Sequence, residues 1–407
     1  MQMIPLNHLR NRFLFAAFFF LFVSGQRIFA AAPPAVSAAS AILVDAATGK
    51  ILYEKNAHEK RPIASTTKIM TGLLAIEHCP PREMIRVDKE AVEVEGSRLG
   101  LAEGDEVEAD LLFRALLLKS ANDAAVALAD HIGGSVRGFA DMMNARAFEL
   151  GARETHFCNP HGLHDPEHYS SAYDLALISR EAMKERLFRR LVSTRSCTVR
   201  LPDGSDSPLV NHNRLLFEDE NVDGIKTGYV KESGRCLAAS AKREGWRLIA
   251  VVLDSTDLWK DAEGLLNYGF ENWEATVFAR ADRPVAKARV IGGRGGEMPI
   301  FPAQDLVEVR KPGEKSLISS RVEIRRLLAP VREGQEVGRL RLFKEGQEVG
   351  TTALLAGESV PQAGWFALVR VMQKVLLAGV LVVAGLKAYG KTAKIARRRR
   401  RRLQAEG

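Results

Sequence analysis

Strand-forming sequence stands at both ends of one stretch of this chain, with helical sequence between, and that order restricts the fold more than any other feature. "AILVDAATGKILYEKN" (41–56) reads as two β-rich runs around a Thr-Gly turn, a hairpin. "NVDGIKTGYV" (221–230) reads as a strand with glycine toward each end, and "RCLAASAKREGWRLIAVVLD" (235–254) as a hairpin turning at Arg243–Gly245. Between them, apolar residues recur at helical spacing over 63–78, 110–132, 136–152 and 171–192, with a closing helix over 261–272. The 110–132 run is broken by a polar knot at Lys119–Asp123. A hairpin, then helices, then three strands predicts an α+β domain over 37–275, an antiparallel sheet flanked by helices.

The texture changes after residue 276. Residues 276–360 are rich in Val, Arg, Gly and Pro in short alternating runs, and "GQEVG" occurs at 334–338 and again at 346–350. This predicts a small all-β domain with no chemistry of its own. The terminal segments read differently. A basic start, the apolar run Phe13–Val23 and small residues near 25–32 predict a cleaved signal peptide over 1–32, hence an exported protein. Eleven apolar residues are short for an uncleaved anchor. Residues 365–387 form an apolar stretch; Phe366–Leu386 would be about 31 Å long as a helix at roughly 1.5 Å per residue, enough to cross a bilayer. Arg370, Gln373 and Lys374 interrupt its first half, so a transmembrane helix and an amphipathic interfacial helix both remain open. The basic run Arg397–Arg402 in the tail 388–407 favours the first.

The formal net charge of +8 has a location: residues 387–407 hold nine Lys or Arg and one Glu, and the rest of the chain balances to zero. A charged tail on a neutral, exported body excludes nucleic acid as a partner. The four cysteines have wide, irregular spacing that defines no disulfide scaffold and are left unpaired.

Three short motifs carry chemistry. "IASTTKIMTG" (63–72) places Ser65 and Lys68 three residues apart at the start of a helix. That tetrapeptide also fits a capping serine with a solvated lysine. The sharper possibility is a nucleophilic serine at a helix N-terminus, where backbone N–H groups stabilise negative charge. Its lysine, on the same side, acts as a base when burial and a second cation lower its pKa. The second cation should appear elsewhere. "KSANDAA" (119–125) supplies Ser120-Ala121-Asn122, and "GIKTG" (224–228) supplies Lys226-Thr227-Gly228. Each is weak alone, but in this order they match the Ser-x-x-Lys, Ser-x-Asn, Lys-Thr-Gly triple of penicillin-interacting serine enzymes.

With "LLLKSANDAAVALA", "NPHGLHDPEHYSSAYDLAL" and "NVDGIKTGYVKESG" added, residues 37–360 resemble the low-molecular-mass penicillin-binding proteins, the serine D-alanyl-D-alanine carboxypeptidases. The resemblance implies a β-lactamase/DD-peptidase-like fold and no cofactor or metal. It implies removal of the terminal D-alanine from peptidoglycan stem peptides ending in D-Ala-D-Ala, through an acyl-enzyme that β-lactams mimic as covalent inhibitors. Ser65 would be the nucleophile, Lys68 its base and Ser120 a proton relay toward the leaving D-Ala together with Lys226. Asn122 would orient Lys68 and the substrate amide. Thr227, near Lys226, would bind the substrate's carboxylate, and Gly228 would keep the strand edge clear for substrate. Backbone N–H groups of Ser65 and Tyr229 would form the oxyanion hole. The catalytic domain would sit on the extracytoplasmic face of the cell membrane, held by the C-terminal helix and basic tail.

Two departures stand out. Tyr229 follows Lys-Thr-Gly where many relatives have His, and "DSTDLWKD" (254–261) offers only Lys260 where some relatives carry an Arg for the carboxylate. The resemblance therefore leaves that charge to Lys226 and Thr227. Among rivals, a class A β-lactamase needs a glutamate four residues before an asparagine; Glu154 and Glu167 are followed instead by Cys158 and Ser171. "HFCNPHGLHDPEH" (156–168) holds zinc-type ligands, His156, Cys158, His161, His164, Asp165 and His168, but its prolines and glycine deny it a helical register. A DD-endopeptidase acting on cross-links differs only on the leaving-group side, and a non-catalytic penicillin-binding sensor would have lost a catalytic residue type that is present here.

Overall fold

The structure is a computed structural model, and it describes residues 33–314 and 317–364. The expected signal peptide (1–32), C-terminal helix (365–387) and basic tail (388–407) lie outside the described residues. Among those described, no helix is long and apolar enough to cross a membrane.

The opening hairpin is β1 (Ser40–Asp45) and β2 (Ile51–Lys55). Asp45 shapes its turn, accepting from the Thr48 N–H and hydroxyl, and Gly49 adopts φ +78° where a side chain would be strained. A 3-10 turn at Ala64–Thr67 then feeds α1 (Lys68–His78). A short pair, β3 (Met84–Arg86) and β4 (Glu106–Glu108), brackets α2 (Lys89–Glu93). Next come α3 (Ala109–Arg114), α4 (Asn122–Gly133) and α5 (Val136–Leu150). They are followed by α6 (Ala172–Ala182), α7 (Arg186–Val192), a second short pair β5 (Ser196–Arg200) and β6 (Asp206–Val210), and α8 (Leu215–Glu218). The α+β region closes with β7 (Val222–Val230), β8 (Gly234–Arg243), β9 (Trp246–Ser255) and α9 (Leu258–Asn272).

The first and last strands do meet. The main sheet runs β2-β1-β9-β8-β7, antiparallel throughout, with Ala41 opposite Val252. All six residues of β1 are buried, because helices cover both faces of the sheet centre. On one face Ile42, Val44, Val251 and Leu253 pack with α1, α4 and α6; on the other Leu43, Leu248 and Val252 pack with Ala262, Leu265 and Leu266 of α9. β7 is left at the sheet edge. Asp261 of α9 ties the segment before β1 to this body, accepting from the Ser37 and Ala38 N–H groups at 2.8 Å each.

Two expected helices are divided. The 110–132 run stops after a π-turn at Ala115–Lys119, where Ser120 takes φ +63°, and restarts at Asn122. The 171–192 run splits between α6 and α7, with the Arg189 guanidinium donating to the carbonyls of Met183 and Lys184 at the break. The helix expected over 261–272 starts one turn earlier.

The all-β region comprises β10 (Glu274–Ala279), β11 (Ala286–Arg289), β12 (Glu297–Pro302), β13 (Leu306–Arg310), β14 (Ile318–Ile324), β15 (Glu336–Lys344) and β16 (Gln347–Ala356). Five of these form a sheet ordered β11-β12-β16-β15-β14, while β10 pairs with β13. Each "GQEVG" copy opens a strand of the β15–β16 hairpin after a glycine of positive φ, Gly334 at +76° and Gly346 at +85°. Val307 and Val309 of β13 are buried in the same apolar cluster as α9.

Candidate active site

Ser65 sits in the 3-10 turn before α1, one turn short of the regular helix the sequence predicted. The turn is stitched by its own threonines: Thr66 Oγ1 donates to the Ile63 carbonyl (2.6 Å) and Thr67 Oγ1 to the Ala64 carbonyl (2.7 Å). Two glycines let neighbouring chain press against it. A Cβ on Gly162 would lie 1.9 Å from the Ala64 carbonyl oxygen, and one on Gly228 would lie 2.9 Å from the Ser65 nitrogen. Gly228 was expected to clear a path for substrate; its nearest neighbours are the backbone of this turn, so what it permits is β7 lying against the nucleophile. That contact brings the Ser65 N–H beside the edge strand carrying Tyr229.

Lys68, at the first position of α1, is fully buried. Its Nζ makes three contacts: Ser65 Oγ at 3.0 Å, Asn122 Oδ1 at 2.6 Å and the His161 carbonyl at 2.7 Å. Burial, then the positive charge of Lys226, hold this amine well below the ordinary lysine value, with Asp123 opposing. A neutral amine has two N–H donors and one lone pair. Asn122 Oδ1 and the His161 carbonyl match the two donors, which turns the lone pair toward Ser65.

Asn122 is aimed by its other end, since Nδ2 donates to the Glu95 carbonyl (2.5 Å). Beside it, buried Asp123 accepts from the Leu99 and Gly100 N–H groups (2.9 and 2.8 Å), folding the 95–101 loop against α4. Ser120 occupies the left-handed corner between the π-turn and α4 and faces the same groove as Ser65. No direct hydrogen bond joins Ser120 to either lysine among the described residues.

β7 supplies the opposite wall. Lys226 is buried, donates to the Thr227 carbonyl (2.9 Å) and is pushed down to about 7 by burial. Thr227, Gly228 and exposed Tyr229 continue along the strand into a groove of about 450 Å³. The histidine-rich loop serves this site from behind. His168 accepts from the Cys158 N–H through Nδ1, so its Nε2–H meets Thr67 Oγ1 (2.8 Å), whose hydroxyl goes to Ala64. Burial lowers His168 to about 4 and His161 to about 3, keeping both neutral. All four cysteines are free.

Of the residues expected from the sequence, Ser65, Ser120, Thr227, Gly228 and Tyr229 line one groove, while Lys68, Asn122 and Lys226 are buried behind its surface. The sequence reading missed Ser97, His212, Arg235, Leu258 and Trp259, which line it as well. A signal existed for His212, which lies between two asparagines whose amides bind backbone carbonyls (Asn211 to Val192 and Thr194, Asn213 to Gly224) and push it outward. Leu258 and Trp259 come from the 254–261 stretch, whose one cation, Lys260, is not among the lining residues.

Residues 27–257 match peptidase family S11, D-alanyl-D-alanine carboxypeptidase, and residues 273–362 match the C-terminal domain of penicillin-binding protein 5. The chain belongs to the D-alanyl-D-alanine carboxypeptidases. It is 34% identical to DacF of Bacillus subtilis over 82% of this chain and 88% of that one. It is also 34% identical to DacD of Escherichia coli K12, over 88% and 97%. Among solved structures, penicillin-binding protein 5 of Haemophilus influenzae superposes with a TM-score of 0.62 at 29% identity, covering 82% of this chain and all of that one. Penicillin-binding protein 6B of E. coli gives 0.60 at 33%, covering 80% and 97%. The carboxypeptidase is thus a serine-type hydrolase of the penicillin-binding class.

Proposed function

We propose that this enzyme removes the terminal D-alanine from peptidoglycan stem peptides by way of an acyl-enzyme on Ser65. The observation that carries the assignment is the buried Lys68 amine, in contact with Ser65 Oγ and held by Asn122 and the His161 carbonyl. Lys68 takes the Ser65 proton as Oγ attacks the carbonyl carbon of the penultimate D-Ala. The oxyanion is met by the N–H groups of Ser65 and Tyr229. The C–N bond then breaks, and the departing amine of D-Ala receives, through Ser120 and Lys226, the proton that Lys68 took from Ser65. Water enters along the same route, gives up a proton to Lys68 and attacks the acyl carbon; the ester C–O bond breaks, Lys68 returns the proton to Ser65 Oγ, and the shortened peptide leaves. A β-lactam carbonyl accepts the same attack and leaves Ser65 acylated.

The test is D-alanine release from a peptide ending in D-Ala-D-Ala, using the full chain in detergent beside Ser65→Ala. Release that disappears in the variant supports the reading. A folded enzyme that is acylated by penicillin yet releases no D-Ala moves the site to cross-link cleavage or to sensing.

We further infer that the chain is exported and anchored through residues 365–387, with the basic tail on the cytoplasmic side. The support is the apolar stretch, the arginine run beyond it and the leader-like N-terminus. Membranes washed with high salt should retain the intact protein. Release by salt alone would mean that charge, not a spanning helix, holds it.

A further inference from the structure

The substrate of a carboxypeptidase ends in a carboxylate, and the groove must meet that charge. Lys68 and Lys226 are both sealed from water, and Lys226 Nζ already gives one N–H to the Thr227 carbonyl. Burial, with the charges of Lys226, Lys119 and Lys68 adding to it, also holds His212 below its ordinary value, so it is neutral at pH 7. The one lining side chain that is exposed and permanently charged is Arg235, on β8.

Its register places it. Arg235 stands directly opposite Tyr229, and Leu237 opposite Thr227, in the β7–β8 ladder. Cross-strand partners share a face, and residues two apart on a strand share it too. Thr227, Tyr229 and Arg235 therefore project on the same side of the sheet, the side on which Leu237 packs with α9. Lys226 and Gly228 project on the other, toward α1. No hydrogen bond or ion pair to another described residue engages the Arg235 guanidinium. A carboxylate bound beyond the scissile bond, on the Thr227 side of the strand, meets a free planar fork that suits its two oxygens.

We propose that Arg235 is the specificity-determining residue of this enzyme, clamping the substrate's C-terminal carboxylate together with the Thr227 hydroxyl. The assignment rests on the carboxypeptidase reading and replaces the expectation that Lys226 and Thr227 alone hold the charge. The missing arginine of the 254–261 stretch is supplied from the neighbouring strand.

The experiment compares the full-length enzyme with Arg235→Gln and Arg235→Lys on two peptides, one ending in D-Ala-D-Ala and one in its C-terminal amide. In parallel, it compares acylation by a penicillin with that by its methyl ester. Arg235→Gln should lower kcat/KM on the free acid about 10- to 100-fold, chiefly through KM. It should leave the amide within about twofold, so the acid-over-amide preference collapses. Arg235→Lys should fall between. A variant that loses equally on acid and amide, or on neither, overturns the proposal and returns the carboxylate to Lys226 and Thr227. The penicillin pair separates this from failure of the carboxypeptidase reading: an enzyme that cleaves neither peptide still shows whether Arg235 selects the carboxylate during acylation.

Discussion

At the residue scale, the site turns on what happens to a lysine sealed from water. Lys68 charged would donate to Ser65 and hold it back; neutral, it accepts the hydroxyl proton. Burial favours the neutral form, and the positive Lys226 adds to it. Acylation by a β-lactam should therefore rise as pH climbs through a Lys68 value well below that of an ordinary lysine. Lys68→Ala should cut acylation by at least about 10³-fold while the protein keeps its circular dichroism. Lys226→Met removes one of the influences that lower Lys68, so the rising limb of any residual acylation should move to higher pH. A limb that stays in place would show that burial alone tunes the base. Stability follows the opposite logic. Lys226 titrates near 7 folded and near 10.5 in an ordinary lysine, so between those values the unfolded chain binds the extra proton. Its burial therefore costs stability below about 7, and the cost fades as pH rises toward 10.5. Lys226→Met should accordingly melt higher than the parent near neutral pH, with the gap shrinking in alkali.

At the scale of elements, much of the site was legible because its groups come in contiguous motifs whose order matches a known chemistry. Ser65, Lys68, Ser120, Asn122 and Lys226 were named from three short strings; Ser65 and Ser120 line one groove, and behind it Lys68 is hydrogen-bonded to Ser65 and Asn122, with Lys226 buried on β7. Arg235, His212 and Ser97 were not, because nothing in a tripeptide reveals strand register or a loop folded back by Asp123. The antiparallel sheet was legible from the order of hairpin, helices and strands. The β3–β4 pair was not, since three-residue strands such as Met84–Arg86 leave no alternation to read. The breaks at Ser120 and between α6 and α7 were obscured by apolar spacing that continues across them. The nucleophile turn is itself an element wedged between two others, and Gly162 shows how tightly. Gly162 and Gly151 both have positive φ, +86° and +84°. A Cβ at Gly151 meets nothing within 4 Å, whereas one at Gly162 would overlap the Ala64 carbonyl. Gly151→Ala should cost about 1–2 kcal/mol by backbone strain and leave acylation unchanged. Gly162→Ala should cost more in a thermal melt and slow acylation at least about tenfold, because the turn carrying Ser65 must shift. Equal effects of the two on acylation would sever the link between this loop and the nucleophile.

At the scale of the molecule, the catalytic body and the β region are joined by more than the chain between α9 and β10. Val307 and Val309 enter the apolar cluster under α9, and Lys50 of the opening hairpin donates to the Val309 carbonyl at 2.5 Å. A shared core of this kind resists hinging, since sliding β13 would expose apolar side chains and strand a buried carbonyl. On the C-terminal anchoring proposed above, the consequence would be one of reach. The β region would then act as a strut rather than a tether, and the groove would work at a set height and facing above its attachment. Peptides within that shell would be trimmed and those beyond it would keep their terminal D-alanine, so the packing of two valines would set the depth of wall that is processed.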